Sequence, residues 1–487
     1  MMPKLTASKL LLPLLLSLML PWGALAKDYL KACWHQQGQS LQARYLRLGY
    51  RETLNELEHN AAPWQATAYT GRGTVWCNAN DFLKRDTLQA VARTYFSRTQ
   101  RTAATLLFQD YGDHGLMAVS EETQREYVFR AARYSPVLLL AYFVQHRVPA
   151  DKDAPAGFAR YQATIGQTRV SLLVRRADAL LDQVLLLAPD EMLGDVATSF
   201  TYRDYAPVAG LRYAASIHVE KFNGKVADDV RVLTATVGPE APALLTASAG
   251  YRLPPASAVR PPDISVETFR PHLHFVALKH TDDRALVVEF DQFLLVAEAP
   301  LSSENGELII REAQKIAPDK PIRYFVAGHH HPHYLGGLRP FVQRGATVLH
   351  GPGDGPYVRY LATAPHTLRP DSLQRHPRPL QAEEIQTSKI ITDGRFEMQI
   401  FCIGAQSAHT NDYLIYYFPS EKLVFEDDLA ALPVQGAPRK ASARQAGLYR
   451  AIQALGLPVE TVVQSWPVTA TGLKTVFPFA DLEQSVK

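Results

Sequence analysis

Hydrophobic patterning changes character several times along the chain. Lys4 and Lys9 lead into the apolar run Leu10–Leu20, broken by Pro13 and Ser17, and then into Ala24-Leu25-Ala26. A charged start, a short apolar core and a small-x-small site predict a secretory signal peptide over residues 1–26, cut before Lys27, and hence a periplasmic protein. The apolar run is too short to span a bilayer, and no later run reaches about 18 apolar residues, so no membrane span is expected after cleavage. Between about 85 and 147, Leu88, Val91, Ala92 and Phe96, then Tyr127, Phe129, Ala132 and the run Val137–Val144, recur at helical spacing. From Gly157 to Tyr251 the pattern becomes short β-rich segments separated by Gly, Asp or Pro: 161–165, 168–174, 180–187, 199–205, 213–220 and 229–237. These signals predict an N-terminal α+β domain, residues 27–255, helical to about 150 and carrying an antiparallel sheet over about 157–251.

The Pro-rich stretch 253–262 has a linker's composition and marks the boundary to a second domain, 256–487. There, 285–290 and 293–298 read as a hairpin about Asp291-Gln292. Ser302 or Ser303 caps a helix that places Ile309, Ala313 and Ile316 on one face. Residues 322–327 form a continuous apolar strand, as expected of one buried on both sides. Gly336-Gly337 opens a short helix that Gly345 closes, and 346–349 is the next strand. A hairpin turns at Asp393-Gly394, with 396–403 as its second arm. Strands at 413–418 and 423–425, a helix at 442–455 ended by Gly456, and a strand at 459–466 complete the series. The order predicts sheets layered against helices.

Composition narrows the possibilities. Apolar residues make up 47% of the chain and charged residues 20%, the balance of a globular protein with a sizeable core. A formal net charge of +3 with interspersed signs gives no support to nucleic-acid binding. In an oxidising compartment Cys33 and Cys77 are expected to pair, and Cys402, on the apolar face of a strand, to remain a packed thiol.

The chemistry concentrates in Gly328-His-His-His-Pro-His-Tyr-Leu-Gly-Gly337, with four His in five residues out of 16 in the chain. Pro332 biases His331 towards extended backbone, where alternate side chains share a side. His329 and His331, with His333 as a further candidate, can then converge on one ion. Neutral imidazole is a common metal ligand, and zinc accepts three with a position left for water.

The pattern resembles the metallo-β-lactamase superfamily, whose His-x-His-x-Asp-His-x-Gly-Gly follows a buried strand. His329-x-His331-x-His333-Tyr334-x-Gly336-Gly337 stands in that place. His409, in Ser407-Ala-His-Thr-Asn-Asp412, precedes a strand as the family's loop His does, and Asp428 ends Leu423-Val-Phe-Glu-Asp-Asp428 where the family has its bridging Asp. The resemblance covers about 265–480 and implies an αββα sandwich. It implies metal ligands His329, His331, His409 and Asp428, with His333 as a candidate, and a catalytic role for Asp428. It also implies departures, since His333, Tyr334 and Ser465 stand where second-metal ligands are expected. The implied function is an exported hydrolase holding one zinc ion and using metal-bound hydroxide on an unidentified small ester, thioester or lactam-like substrate. The alternative is a pseudoenzyme that kept the fold as a binding or scaffold protein.

Overall fold

The N-terminal half is built on one twelve-stranded antiparallel sheet. The computed structural model describes residues 28–91, 93–101, 105–109, 115–239, 261–436, 440–469 and 472–487. The expected signal peptide and most of the Pro-rich boundary lie outside these residues. After α1 (Tyr29–Gln37) come β1 (Tyr45–Leu57), β2 (Ala66–Cys77), β3 (Phe82–Gln89), β4 (Thr94–Arg101), β5 (Thr105–Gln109) and β6 (Gly115–Ala118). Helices α2 (Glu121–Ala132) and α3 (Val137–Gln145) follow. The second set is β7 (Phe158–Ile165), β8 (Thr168–Arg175), β9 (Leu181–Asp190), β10 (Gly194–Val208), β11 (Leu211–Lys221) and β12 (Val226–Gly238). The sheet runs β6-β5-β4-β3-β2-β1-β12-β11-β10-β9-β8-β7, two meanders joined by the β1–β12 pairing.

The helical expectation is therefore corrected to strands at 85–89, 94–101, 105–109 and 115–118. Val91 and Phe96, which supplied the helical spacing, are exposed and define no buried face. The inward alternation on β3 runs through Lys84 and Asp86, buried as an ion pair at 3.2 Å, so its period of two is hidden behind charges. The strands expected between 157 and 251 are present. Helix α2 begins at a reciprocal capping box between Ser120 and Thr123. Tyr127, Leu139 and Phe143 of α2 and α3 share a core with Leu48, Tyr202 and Ile217 of the sheet. The Cys33–Cys77 pairing is also corrected. Both are free buried thiols, Cys33 Sγ accepting from Gln37 Nε2 while Cys77 Sγ donates to the Leu46 carbonyl. One rides on α1 and the other at the end of β2, and each already has its own partner.

The C-terminal half has two sheets. The first contains β13 (Ile264–Arg270), β14 (Leu273–Leu278), β15 (Asp283–Glu289), β16 (Leu294–Ala297), β17 (Ile322–Val326), β18 (Thr347–His350) and β19 (Gln381–Glu384), in that order. The second contains β20 (Ser388–Thr392), β21 (Glu397–Cys402), β22 (Leu414–Phe418), β23 (Leu423–Glu426), β24 (Thr461–Gln464) and β25 (Val476–Pro478). Helices α4 (Ser303–Ile316), α5 (Pro332–Leu335), α6 (Leu338–Arg344), α7 (Gly355–Thr363) and α8 (Ser372–Arg375) belong to the first half of this region, and α9 (Ala443–Ala454) and α10 (Phe479–Val486) to the second. Leu286, Val326 and Leu349 meet Met398, Tyr416 and Phe425 between the sheets. Ile309 and Phe341 cover the outer face of the first sheet, and Leu448 and Leu482 that of the second. The layers are α-β-β-α, as the resemblance implies.

Strands β16 to β19 run parallel, as do β23 and β24, so their C-terminal ends open on one edge of the sandwich. The tips of three N-terminal hairpins, β1–β2, β9–β10 and β11–β12, meet the sandwich there. Asp195 Oδ2 accepts from the Thr367 amide at 2.9 Å, and Asn223 Nδ2 donates to the Tyr360 hydroxyl at 2.8 Å. Among the described residues, no helix is long and apolar enough to cross a membrane.

Candidate metal centre

His329 and His331 lie in the extended turn after β17, and His409 in the loop before β22. The Leu414 amide donates to the Gly328 carbonyl at 2.7 Å and ties the two loops together. One nitrogen from each of the three imidazoles lies within 4.8 Å of the others, and all three residues are buried. His329 Nε2 is 3.0 Å from His331 Nδ1. The other ring nitrogens are engaged: His329 Nδ1 donates to Asp427 Oδ2 at 2.7 Å, and His331 Nε2 donates to the Asn60 carbonyl at 3.1 Å. Assigned from these partners, the tautomers leave His329 Nε2 and His331 Nδ1 as lone pairs facing each other. A cation between them would relieve the repulsion of two lone pairs, and a His329 ring protonated on Nε2 would instead close the gap as a hydrogen bond. His409 Nε2 is buried without a hydrogen-bond partner and sits 3.2 Å from Asp428 Oδ2.

These residues fit a divalent metal. Three ring nitrogens converge, and two of the rings are held from behind by a carboxylate and a backbone carbonyl, the usual outer partners of metal-binding imidazoles. Burial, reinforced by His331 and His409, holds the His329 ring well below its ordinary pKa, and burial with His330 pushes His331 down to about 3. Both stay neutral, the form that binds metal. Behind them lies a buried group of carboxylates. Burial raises Glu298 and Glu426 to about 8 each, and Asp427 is raised well above the carboxylate range by burial, Glu298 and Asp428. Near neutral pH these acids are mainly protonated, and a cation bound in front of them would favour their ionised forms. Asp428 opposes this trend: burial raises it, but His409 and Arg444 outweigh burial and lower it, so it is ionised.

Gly328 is required by this packing, because a Cβ there would lie 2.0 Å from Asp427 Oδ2. Asp427, which stands where the family's pattern has a Gly before its bridging Asp, is the partner that fixes His329.

The remaining candidates have other partners. His330 points away from the three-histidine site, its amide donating to Asp412 Oδ2 at 2.8 Å and its Nδ1 3.1 Å from Asp412 Oδ1. With Asp354 these form a second buried group of three ligand-type side chains. Burial and the Asp412 carboxylate push Asp354 to about 10, so the two acids share a proton. His333 Nδ1 is 2.8 Å from Asp283 Oδ1, and Asp283 raises its pKa against burial; the ring lies outside the trio. Tyr334 is buried against the His329 ring. Ser465 Oγ donates to the Arg284 carbonyl at 2.6 Å, and Trp466 lies beside His333. His350 Nδ1 donates to the Gly351 carbonyl.

The β1–β2 tip contributes residues that no motif singles out. His59 stacks on His331 with centroids 4.7 Å apart, Asn60 provides the carbonyl already described, and the Asn411 amide donates to the Ala61 carbonyl at 2.8 Å. Nothing in residues 58–65 marks them as neighbours of a loop some 270 positions away.

No protein-family model matches the chain, and no curated protein does. Solved structures do. A metallo-β-lactamase from Pontibacter korlensis is 16% identical, with 46% of this chain and 97% of that chain covered and a TM-score of 0.33. The mono-zinc form of the metallo-β-lactamase FIM-1 from Pseudomonas aeruginosa is 16% identical over 46% and 95% of the two chains, with a TM-score of 0.34. The inverting sec-alkylsulfatase Pisa1 from Pseudomonas sp. is 15% identical over 45% and 40%, with a TM-score of 0.33.

Proposed function

We propose that the protein is an exported hydrolase holding one zinc ion on His329, His331 and His409 and cleaving an ester, thioester or lactam-like bond. The observation that carries this reading is the convergence of three buried imidazole nitrogens whose rings are fixed from behind by Asp427 and Asn60. Zinc in such an open three-histidine setting supplies Lewis acidity that brings the pKa of a water to about 7. The protein's own part is positioning and proton handling. Asp427 and the Asn60 carbonyl hold two rings in one tautomer each. Asp428, ionised and beside His409 Nε2, is placed to accept a proton from the attacking water. Arg444 Nη1, 3.5 Å from Asp428 Oδ2, steadies that carboxylate in its charged form.

A single ion is favoured because the residues in the second-metal positions are otherwise committed: Ser465 to the Arg284 carbonyl and His333 to Asp283. The same commitments favour a second reading, a folded protein without turnover. Elemental analysis of dialysed protein separates the two. About one zinc per chain, lost in His409→Ala, is expected; no bound metal would establish the non-catalytic reading. Export rests on the basic start, apolar run and Ala24-x-Ala26 of the sequence, and the N-terminal residue of protein recovered from the periplasm, expected to be Lys27, tests it.

A further inference from the structure

A cavity of about 480 Å³ lies between the two halves and ends on His330 and His331. Its size falls in the range of small-molecule sites. Neither half makes it alone. The N-terminal sheet lends Trp64, Leu193 and Phe222, one from each of the three hairpin tips that meet the sandwich, and the sandwich lends Leu301 and Tyr357. The walls are therefore mainly apolar and held by docked turns, with His59, Gln65 and the two histidines at the end as neutral polar groups. Trp64 stands edge-on to Tyr357 at 5.1 Å and to Tyr360 at 5.0 Å between centroids. Charged side chains at the lining are the carboxylates Glu58, Asp190 and Glu191. Each has a structural partner: Tyr69 donates to Glu58, Asp190 caps the turn at Met192 and Leu193, and Glu191 pairs with Arg369. The carboxylates disfavour an anionic ligand, and the apolar walls favour a ligand that brings hydrocarbon.

We propose that this interdomain cavity binds the uncharged apolar arm of the substrate, so that the enzyme prefers neutral esters or thioesters carrying a medium-length hydrocarbon chain. The proposal rests on the hydrolase reading for its catalytic consequence but not for the binding itself. His331 is both a wall of the cavity and one of the three converging imidazoles, so the cavity adjoins that site; His329, His409 and Asp428 do not line it, and an arm seated there reaches the reacting bond past the His331 ring. The N-terminal sheet then acts as the specificity element of the site.

Two measurements on the full-length mature protein test this. Calorimetric titration of zinc-free protein with n-alkanols from butanol to decanol should show affinity rising about fourfold per methylene until the cavity is filled. Leu193→Trp, which fills the cavity, and Trp64→Ala, which strips a wall, should each flatten that series, with unchanged circular dichroism confirming the fold. Hydrolysis of 4-nitrophenyl esters by zinc-loaded protein should give kcat/KM rising with acyl length in the parent and nearly level in Leu193→Trp. Alkanol affinity without chain-length dependence, or a dependence untouched in both variants, overturns the cavity's role even where short esters are cleaved. Chain-length-dependent alkanol binding with no ester turnover supports the cavity and removes the hydrolase reading instead.

Discussion

His329 and His331 present opposite ring nitrogens to the same point, and each choice is made by the residue behind the ring. Asp427 takes the Nδ1 proton of His329, and the Asn60 carbonyl takes the Nε2 proton of His331. Loss of such outer partners commonly lowers metal affinity by about 10–100-fold. Asp427→Ala is therefore expected to weaken zinc binding by about that factor in a competition titration, whereas His409→Ala should abolish it. Both variants should keep their circular dichroism, because this core is large and does not depend on metal to fold. Unfolding of His409→Ala would show the site to be structural. Gly328→Ala should resemble Asp427→Ala, since its Cβ displaces the same carboxylate. The three converging imidazoles were legible in the sequence: alternate His in extended backbone before a Gly-Gly turn, and a His preceding an apolar strand. Their supports were not. Asp427 was visible only as a departure from a pattern, and the Asn60 contribution is a backbone carbonyl, which no side-chain pattern can announce.

Elements were readable where hydrophobic periodicity was clean. The Ser302 cap, the α4 face and the strands leading to the histidines sit where the pattern placed them. The strands β3 and β4 did not read as strands, because buried charges on one and the exposed Phe96 on the other blur the alternation. A second hidden device is the link between α6 and α8. Arg339, nearly fully buried, donates to Asp371 Oδ2 at 2.5 Å and to the carbonyls of Leu361 and Ala364. Burial raises the Asp371 carboxyl, but Arg339 and the Gln374 amide outweigh it and bring it to about 2. A folded pKa below the unfolded value of about 3.9 means that this stabilisation is present above that value and is lost as pH falls towards 2. Asp371→Asn should lower the melting temperature at pH 7, since breaking a buried pair costs about 3–5 kcal/mol. The gap between variant and parent should narrow below pH 4; a constant gap down to pH 2 would contradict the assignment. The β1–β2 tip offers a matching test on the N-terminal side. Replacing residues 58–65 by a two-residue Asn-Gly turn removes the Asn60 carbonyl and should cost about tenfold in zinc affinity while leaving the sheet folded.

At the scale of the molecule, the twelve-stranded sheet and the sandwich meet through interlocked turns. Gly194, at φ +80° in the β9–β10 turn, lets the backbone approach so closely that a Cβ there would sit 2.4 Å from the Pro365 carbonyl. The next residue completes the junction. The Asp195 amide donates to that same carbonyl at 2.7 Å, and its carboxylate accepts from the amides of Thr367 and Leu368 at 2.9 and 3.0 Å. Asp195 is 7% exposed, so these bonds are shielded from water. Interfaces between parts of one chain are commonly polar and permit relative motion, but this one sets a buried carboxylate against two N–H donors. Deleting it leaves both donors without a partner at about 1–3 kcal/mol each. Differential scanning calorimetry of the parent is therefore expected to show a single transition. Asp195→Ala should separate it into two, with the early component following whichever half is less stable alone. The variant should also bind zinc more weakly, because the β1–β2 tip that supports His331 is carried by the loosened sheet. Two independent transitions in the parent, or an Asp195→Ala protein with the parent's melt and zinc affinity, would show that the halves are merely adjacent and that the metal centre does not depend on their union.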